Sequence, residues 1–457
     1  MADFPKGQGG KFELVRGGVA LGLERIGLDQ ILEGAGGLEV VGSTAMRGHV
    51  HPDFASVAQQ LARVVARNPR GGAALTLYHR GECVLDLQAG VRDSVGRPWA
   101  ADTLSLCYST GKGVLATLLH VLVDRGALAY SDRVAGHWPR FAQGGKSEIT
   151  VRQLLCHEAG LYRMADWIDT AEQMLDWERM IAALEGAEPA HRPGRAHGYH
   201  GLSFGWLVGE LLQRVTGTPL DRLLRENLAE PLGLDDFFFG LPEEADERRS
   251  EWMYDEMNVK TSAASRMARR FGFERAAASG GDKESDQWKA VFWPKGMERL
   301  DLNSVALRRA VIPAFNGMFS ARGLARLYAA LAEGGAHGGT RLLSPETLKE
   351  ATRVQNHGVG RVLPQAMNWR LGYHGLPSSR AEDGTVFGHF GIGGSGALAD
   401  PDRELALAFA VNTGLTGSIL DSRMVRIVRA AFRAAEARSN HGVGLRLCER
   451  SVSESVA

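Results

Sequence analysis

Strand-like patterns in this chain lie far apart, at residues 73–88 and again at 385–411, and the long interval between them is patterned mainly for helices. Residues 73–79 and 83–88 flank Arg80-Gly81-Glu82 and read as a β-hairpin. Residues 385–388, 395–399 and 404–411 read as three further strands. Helical spacing appears at 54–65, where Val57, Leu61, Val64 and Val65 share a side, and in the run from Gly113 to Arg125-Gly126. It appears again in ITVRQLLCHEAGL, at 202–215 closed by Thr216-Gly217, in ARGLARLYAALAEGG and at 419–434. Residues 137–141 read as loop. Helices and strands that segregate rather than alternate imply an α+β fold on an antiparallel sheet, not a doubly wound parallel one. No internal repeat is evident.

Composition narrows the function classes. The 457 residues suffice for a large core and about two or three compact units. Lys plus Arg and Asp plus Glu number 53 each, so no basic excess suggests nucleic acid or an anionic membrane surface. No apolar run reaches the roughly 20 residues that cross a bilayer. The opening MADFPKGQGGKFELVRGG has no charged n-region followed by an apolar stretch, so a cytoplasmic location is expected. Cys83, Cys107, Cys156 and Cys448 are widely spread, which fits neither a zinc site nor a disulfide framework. Cys107 and Cys156 read as buried small hydrophobes, although Cys107 lies two residues before a candidate nucleophile.

That candidate is Ser109, in LSLCYSTGKGVLATLLHVLVDRG. Lys112 follows it by three residues, so on a helix start the amine lies beside the hydroxyl. A lysine desolvated near unpaired helix N–H groups loses its proton more readily and can serve as a base. A serine in this place also fits a plain N-cap. Tyr199, in PGRAHGYHG, offers a phenol for proton relay, and equally a ring packed in a turn. In GHFGIGGSGALADP, glycines permit close backbone approach, and the Ile392 N–H can join that of Ser109 as an oxyanion donor. A glycine-rich turn carrying a surface histidine, His389, fits the same stretch. Asn316-Gly317 sits in a further turn.

Two rival motifs fail on context. Gly201-Leu202-Ser203-Phe204-Gly205 matches the α/β-hydrolase nucleophile elbow, but RAHGYH before it is not a buried strand. Gly391, Gly393 and Gly396 match a dinucleotide fingerprint, but a strand follows rather than a helix. Residues 240–300 crowd charged and polar side chains into an extended excursion, which fits a lid or a solvated insertion. Its aromatic residues Trp252, Tyr254, Phe271, Phe273, Trp288, Phe292 and Trp293 fit an acyl pocket or lid packing equally well.

The order Ser-x-x-Lys, then a tyrosine motif, then a His-x-Gly stretch near the C-terminus resembles the serine β-lactamase and penicillin-binding-protein superfamily. It is most similar to class C β-lactamase-related esterases, the family VIII carboxylesterases. Supporting stretches are TLYHRGECVLDLQAG, ITVRQLLCHEAGL, PGRAHGYHGLSFGWLVGELLQRVTG, NGMFSARGLARLYAAL, WRLGYH and GHFGIGGSGALADP, over roughly residues 50–435.

The resemblance implies a β-lactamase-like fold with an antiparallel sheet flanked by helices and a mostly helical inserted domain. The expected division is an N-terminal extension at 1–45, a discontinuous α/β domain at 46–135 and 305–440, and a helical domain at 136–304. A polar tail then occupies 441–457. It further implies Ser109 as nucleophile, Lys112 and Tyr199 as its proton acceptors, and an oxyanion hole from the N–H groups of Ser109 and Ile392. His389, Gly391 and Asn316 would contact a small-molecule ester, with no metal or organic cofactor. Two departures favour neutral esters over lactams: Tyr199-His200-Gly201 replaces Tyr-x-Asn, and His389-Phe390-Gly391 replaces Lys-Thr-Gly. A β-lactamase, a D-Ala-D-Ala peptidase or acyltransferase, and a non-catalytic binding homologue stand as alternatives, and oligomeric state is left open.

Overall fold

The computed structural model of the protein describes residues 12–15, 38–42, 46–68, 70–253, 285–291, 296–363, 365–376, 384–414 and 422–453. Nine strands make one sheet. β1 (Phe12–Val15), β2 (Leu38–Gly42), β3 (Met46–Val50), β4 (Gly72–His79) and β5 (Glu82–Gly90) come from the first quarter of the chain. β6 (His374–Gly375), β7 (Phe387–Phe390), β8 (Gly396–Asp400) and β9 (Leu405–Val411) come from the last. The spatial order is β1-β2-β3-β5-β4-β9-β8-β7-β6, and each neighbouring pair is antiparallel. The fold is therefore α+β on an antiparallel sheet, as expected from the segregated patterns.

The seam between the two chain ends is β4 against β9, where Leu77 faces Leu407 and Leu75 faces Phe409. Period-two alternation sends Leu405, Leu407, Phe409 and Val411 to one face, with Leu75, Leu77, Leu85 and Leu87. Helices α1 (Ala55–Arg67) and α7 (Ser422–Ser453) cover that face through Val57, Leu61, Ile427 and Ala431. The opposite face of β9 and β8 carries Ala406, Ala408, Ala397 and Ala399, whose small side chains let α6 (Ala321–Ala332) pack closely through Leu324, Leu327 and Leu331.

The helix that begins beside Ser109, α2 (Thr110–Asp124), is buried from Thr110 through Leu122. It is buried on all sides because β7, next to the edge strand β6, contacts it on one side and α5 (Ser203–Thr216) on another. Short helix α3 (Val151–Leu155) starts with a Thr150–Gln153 capping box, α4 (Trp177–Gly186) starts with an Asp176 cap, and α5 ends at Gly217 with φ +67°.

Three features differ from the sequence expectation. Ser105–Leu106, Gly317–Phe319 and Phe237–Phe239 form a small separate sheet, too short to show alternation. Residues 134–142, read partly as loop, form two short helical turns. The polar tail continues α7 to Ser453, since polarity alone does not stop a helix and an interior glycine such as Gly442 costs only about 1 kcal/mol. The central part of the 240–300 excursion, residues 254–284, lies outside the described residues, as do most of 1–45. Among the described residues no helix is long and apolar enough to cross a membrane.

Candidate active site

Ser109 precedes α2, but its hydroxyl makes no capping bond to the helix N–H groups. The hydroxyl is held by two other groups. Lys112 Nζ donates to Ser109 Oγ at 2.8 Å, and the Tyr199 hydroxyl donates to the same oxygen at 2.9 Å. Lys112 also donates to the Ala314 carbonyl at 3.1 Å and lies 5.0 Å from the centre of the Tyr199 ring. The lysine is fully buried, and desolvation holds its amine well below the usual lysine range. Burial pushes the Tyr199 phenol up, only partly opposed by its bond to Ser109. The pair is thus an amine that sheds its proton easily beside a phenol that keeps its own.

The local backbone explains how the serine is presented. Tyr108 adopts φ +48°, an uncommon conformation for a residue with a side chain. Its ring is wedged edge-on against Phe315 and Trp252, at 5.3 and 5.1 Å. Thr110 Oγ1 and the Gly391 N–H both donate to the Ser395 carbonyl, at 3.2 and 2.7 Å, which ties the start of α2 to the loop after β7. A Cβ on Gly391 would stand 2.4 Å from the Cys107 carbonyl oxygen, so glycine is what allows this approach. The N–H groups of Ser109 and Ile392 make no hydrogen bond among the described residues. Arg423, from α7, supports the same loop by donating to the Gly393 carbonyl at 3.1 Å and to the Thr413 carbonyl at 2.8 Å.

His389 stands on β7 with its ring 6.4 Å from Tyr199 and 4.7 Å from His374. It is buried, not a surface histidine, and its Nε2 has no protein partner among the described residues. Desolvation, with His374 and Lys112 adding, keeps its pKa well below the ordinary value, so the ring is neutral at pH 7.

Asn316 corrects the sequence expectation of a substrate contact. Its Oδ1 accepts from the Ile312 N–H, and its Nδ2 donates to the Leu307 and Ala310 carbonyls, so the buried amide braces its own loop. That brace holds the turn from which the Ala314 carbonyl reaches Lys112. Ser203 donates to the Leu161 carbonyl from the first turn of α5 and is fully buried, far from an exposed elbow. Gly205 is needed for packing, since a Cβ there would meet the Ala314 nitrogen at 2.6 Å. Cys107 and Cys156 are buried, and burial raises the Cys107 thiol to about 12, which removes it as a nucleophile. Trp252 packs on Tyr108 and is 7% exposed, so it supports the serine turn. Tyr254, Phe271, Phe273, Phe292 and Trp293 lie outside the described residues.

Sequence reasoning passed over His157 and Trp369. Trp369 stacks on Tyr199 at 5.3 Å with 12° between planes, and His157 meets Tyr199 edge-on at 5.1 Å. Both sit in stretches read from the sequence, LLCHEAGL and WRLGYH, but neither has a spacing that marks it as part of the site. Among the described residues no group of His, Cys, Asp and Glu is arranged to hold a metal ion.

The chain is similar over most of its length to proteins of one family. A family model described as Beta-lactamase matches residues 57–430. The esterase/beta-lactamase LipL of Mycobacterium tuberculosis is 36% identical over 380 residues, covering 82% of this chain and 84% of that protein. A solved family VIII carboxylesterase superposes with a TM-score of 0.72 at 34% identity, covering 85% of this chain and 99% of its own. A penicillin-binding protein homologue from Caulobacter crescentus superposes equally well, with a TM-score of 0.72 at 34% identity over 86% of this chain and 100% of that one.

Proposed function

Because the chain belongs to the β-lactamase family, within the superfamily of serine hydrolases that includes the penicillin-binding proteins, we propose that it is a carboxylesterase working through an acyl-enzyme on Ser109. The observation that carries this reading is the Ser109 hydroxyl, free of any capping role and held between Lys112 Nζ and the Tyr199 hydroxyl. With Lys112 neutral, its two N–H bonds leave one lone pair, and the 2.8 Å contact becomes Ser109 O–H donating to the amine. Tyr199 O–H still donates to Ser109 Oγ, so both hydroxyl protons have an acceptor, and one amine N–H keeps the Ala314 carbonyl.

Ser109 Oγ attacks the ester carbonyl carbon as its proton passes to Lys112. The carbonyl oxygen takes the negative charge and rests on the N–H groups of Ser109 and Ile392. Collapse breaks the bond to the alcohol oxygen. That oxygen receives the Tyr199 proton, and Lys112 returns one to Tyr199. Water then attacks the acyl carbon by the same proton route in reverse, releasing the acid and restoring Ser109.

The preference for uncharged esters follows from the neutral wall. His389 stands where a lactam-hydrolysing site carries a lysine, and Gly201 where it carries an asparagine. Burial keeps the His389 ring neutral and Gly201 has no side chain, so neither position offers a fixed charge or an amide to a substrate carboxylate at pH 7. The relative that is named both esterase and beta-lactamase supports a slower lactam activity through the same acylation step. The test is a panel of p-nitrophenyl acyl esters run beside a chromogenic cephalosporin, with fluorophosphonate labelling of wild type, Ser109→Ala and Ser203→Ala. Ester turnover and labelling lost only in Ser109→Ala are expected. Labelling lost in Ser203→Ala instead would overturn the assignment, and a folded wild type that neither labels nor turns over would favour the binding homologue.

A further inference from the structure

His157 occupies the first position after α3 and its cap, where the chain turns through φ +62°. Glycine or asparagine is the ordinary choice there, because a bulky side chain is strained in that conformation. The cost has a visible return. The 157–161 turn and residues 198–203 around Tyr199 are joined by five hydrogen bonds, four of them involving His157 or His200. Gly198 N–H donates to the His157 carbonyl at 2.9 Å, and His200 N–H donates to His157 Nδ1 at 3.2 Å. Leu161 N–H donates to His200 Nε2 at 3.0 Å, and Ser203 Oγ donates to the Leu161 carbonyl. Two of the bonds land on His157 from the residues immediately before and after Tyr199.

These bonds fix both imidazole tautomers. His200 Nε2 accepts from a backbone N–H, so the neutral His200 ring carries its proton on Nδ1. That Nδ1–H faces His157 Nδ1 at 3.2 Å, which already accepts the His200 backbone N–H. The two donors share the single lone pair of His157 Nδ1, which is therefore the acceptor, and its proton sits on Nε2. Nε2 is buried without a polar protein partner among the described residues, and the ring's nearest aromatic neighbour is Trp369, 4.3 Å away at 68°. Trp369 in turn stacks on Tyr199. The phenol ring is thus gripped on its face by Trp369 and on its edge by His157, while its flanking backbone hangs on His157.

We infer that His157 is the positioning residue for Tyr199, its Nδ1 and its carbonyl serving as the acceptors that set the height of the Tyr199 loop so that the phenol oxygen meets Ser109 Oγ. This rests on the acid–base role proposed above for Tyr199. It assigns no contact between His157 and substrate. The groups around the pair, Lys112 from α2, His389 from β7, Tyr162, His191 and His197, leave it in a setting where neutral rings are the stable form.

The experiment compares His157→Asn, His157→Gln and His157→Leu in steady-state hydrolysis of a p-nitrophenyl ester, with thermal melts on each. Asparagine places an acceptor oxygen where Nδ1 stands and tolerates positive φ, so kcat should stay within about threefold of wild type. Glutamine moves the acceptor outward and leucine removes it, so kcat should fall about 100-fold in each while KM changes little. The Asn and Gln contrast decides the matter if the leucine variant does not fold. Tyr199→Phe should lower kcat by about 10²–10⁴, and adding His157→Gln to it should lower kcat no further. A Gln variant with wild-type kcat, an Asn variant as poor as Gln, or a double variant that falls by the product of the single effects overturns the inference. If Tyr199→Phe alone leaves kcat unchanged, the acid–base role of Tyr199 fails first and the inference falls with it.

Discussion

At the scale of single residues, Lys112 shows how function and stability pull apart. A buried amine whose partners are a hydroxyl and a backbone carbonyl is held neutral by desolvation, and that state suits a base. It also costs stability. The folded pKa lies below the unfolded one, so the folded state binds fewer protons, and the resulting stability, complete above about pH 10.5, is lost as pH falls. Lys112→Met is therefore expected to raise the thermal midpoint at pH 7 while lowering the acylation rate by about 10²–10⁴. Stopped-flow acylation and calorimetry on the same sample check both signs; a variant that is both slower and less stable would mean the ammonium form is the resident one. The spacing of Ser109 and Lys112 made this pair legible in the sequence, because three residues on a helix is a local rule. Asn316 was misread for the opposite reason. Its role depends on carbonyls at 307 and 310 folding back around it, which turn chemistry alone does not reveal.

At the scale of elements, the site depends on how closely β7 can approach the start of α2. The obstruction that a side chain at 391 would meet is backbone, the Cys107 carbonyl, with Tyr108 Cβ at 3.0 Å behind it. Neither can swing aside, so the strand end must recede and carry the Ile392 N–H with it. Gly391→Ala should lower kcat by about 10²–10³, the usual cost of a lost oxyanion donor, with a melting point close to wild type. Gly186→Ala is the contrasting case. Gly186 closes α4 in open space with no positive φ, so alanine should leave activity unchanged and stabilise by about 0.4–1 kcal/mol. Hydrolysis rates and denaturant midpoints on both variants separate close approach from chain entropy. Most helix and strand positions were legible because periodicity is local: the helix read at 202–215 runs Ser203–Thr216, and the strand read at 404–411 runs Leu405–Val411. The small sheet at 105–106, 237–239 and 317–319 was not, since strands of two or three residues carry no period and their partners lie more than a hundred residues away for Ser105–Leu106.

At the scale of the whole molecule, the two chain ends close one sheet and leave a buried band of neutral imidazoles between that sheet and the helices. The sequence showed 14 histidines but not which of them would be dry. His120 is fully buried, its Nδ1 facing the Tyr130 hydroxyl at 2.8 Å and its Nε2 facing the Leu371 carbonyl at 2.9 Å. Desolvation lowers it to about 4, His374 likewise to about 4, and His200 to about 3. The unfolded chain takes up these protons near pH 6.5 and the folded protein does not. Each group therefore leaves stability intact above pH 6.5 and removes it as pH falls toward 4, at up to about 1.4 kcal/mol per pH unit. Asp236 and Asp400, whose carboxyls burial raises, work in the opposite direction over part of this range, so the raw curve is a net effect. A difference measurement isolates one group. His120→Gln keeps an amide donor for the Leu371 carbonyl but cannot take up a proton. Urea unfolding at pH 7, 6, 5 and 4 should show wild type losing stability faster than the variant below pH 6.5, the two curves converging in slope above it. Parallel curves down to pH 4 would mean that His120 is already charged in the folded protein, and that the imidazole band is hydrated rather than dry.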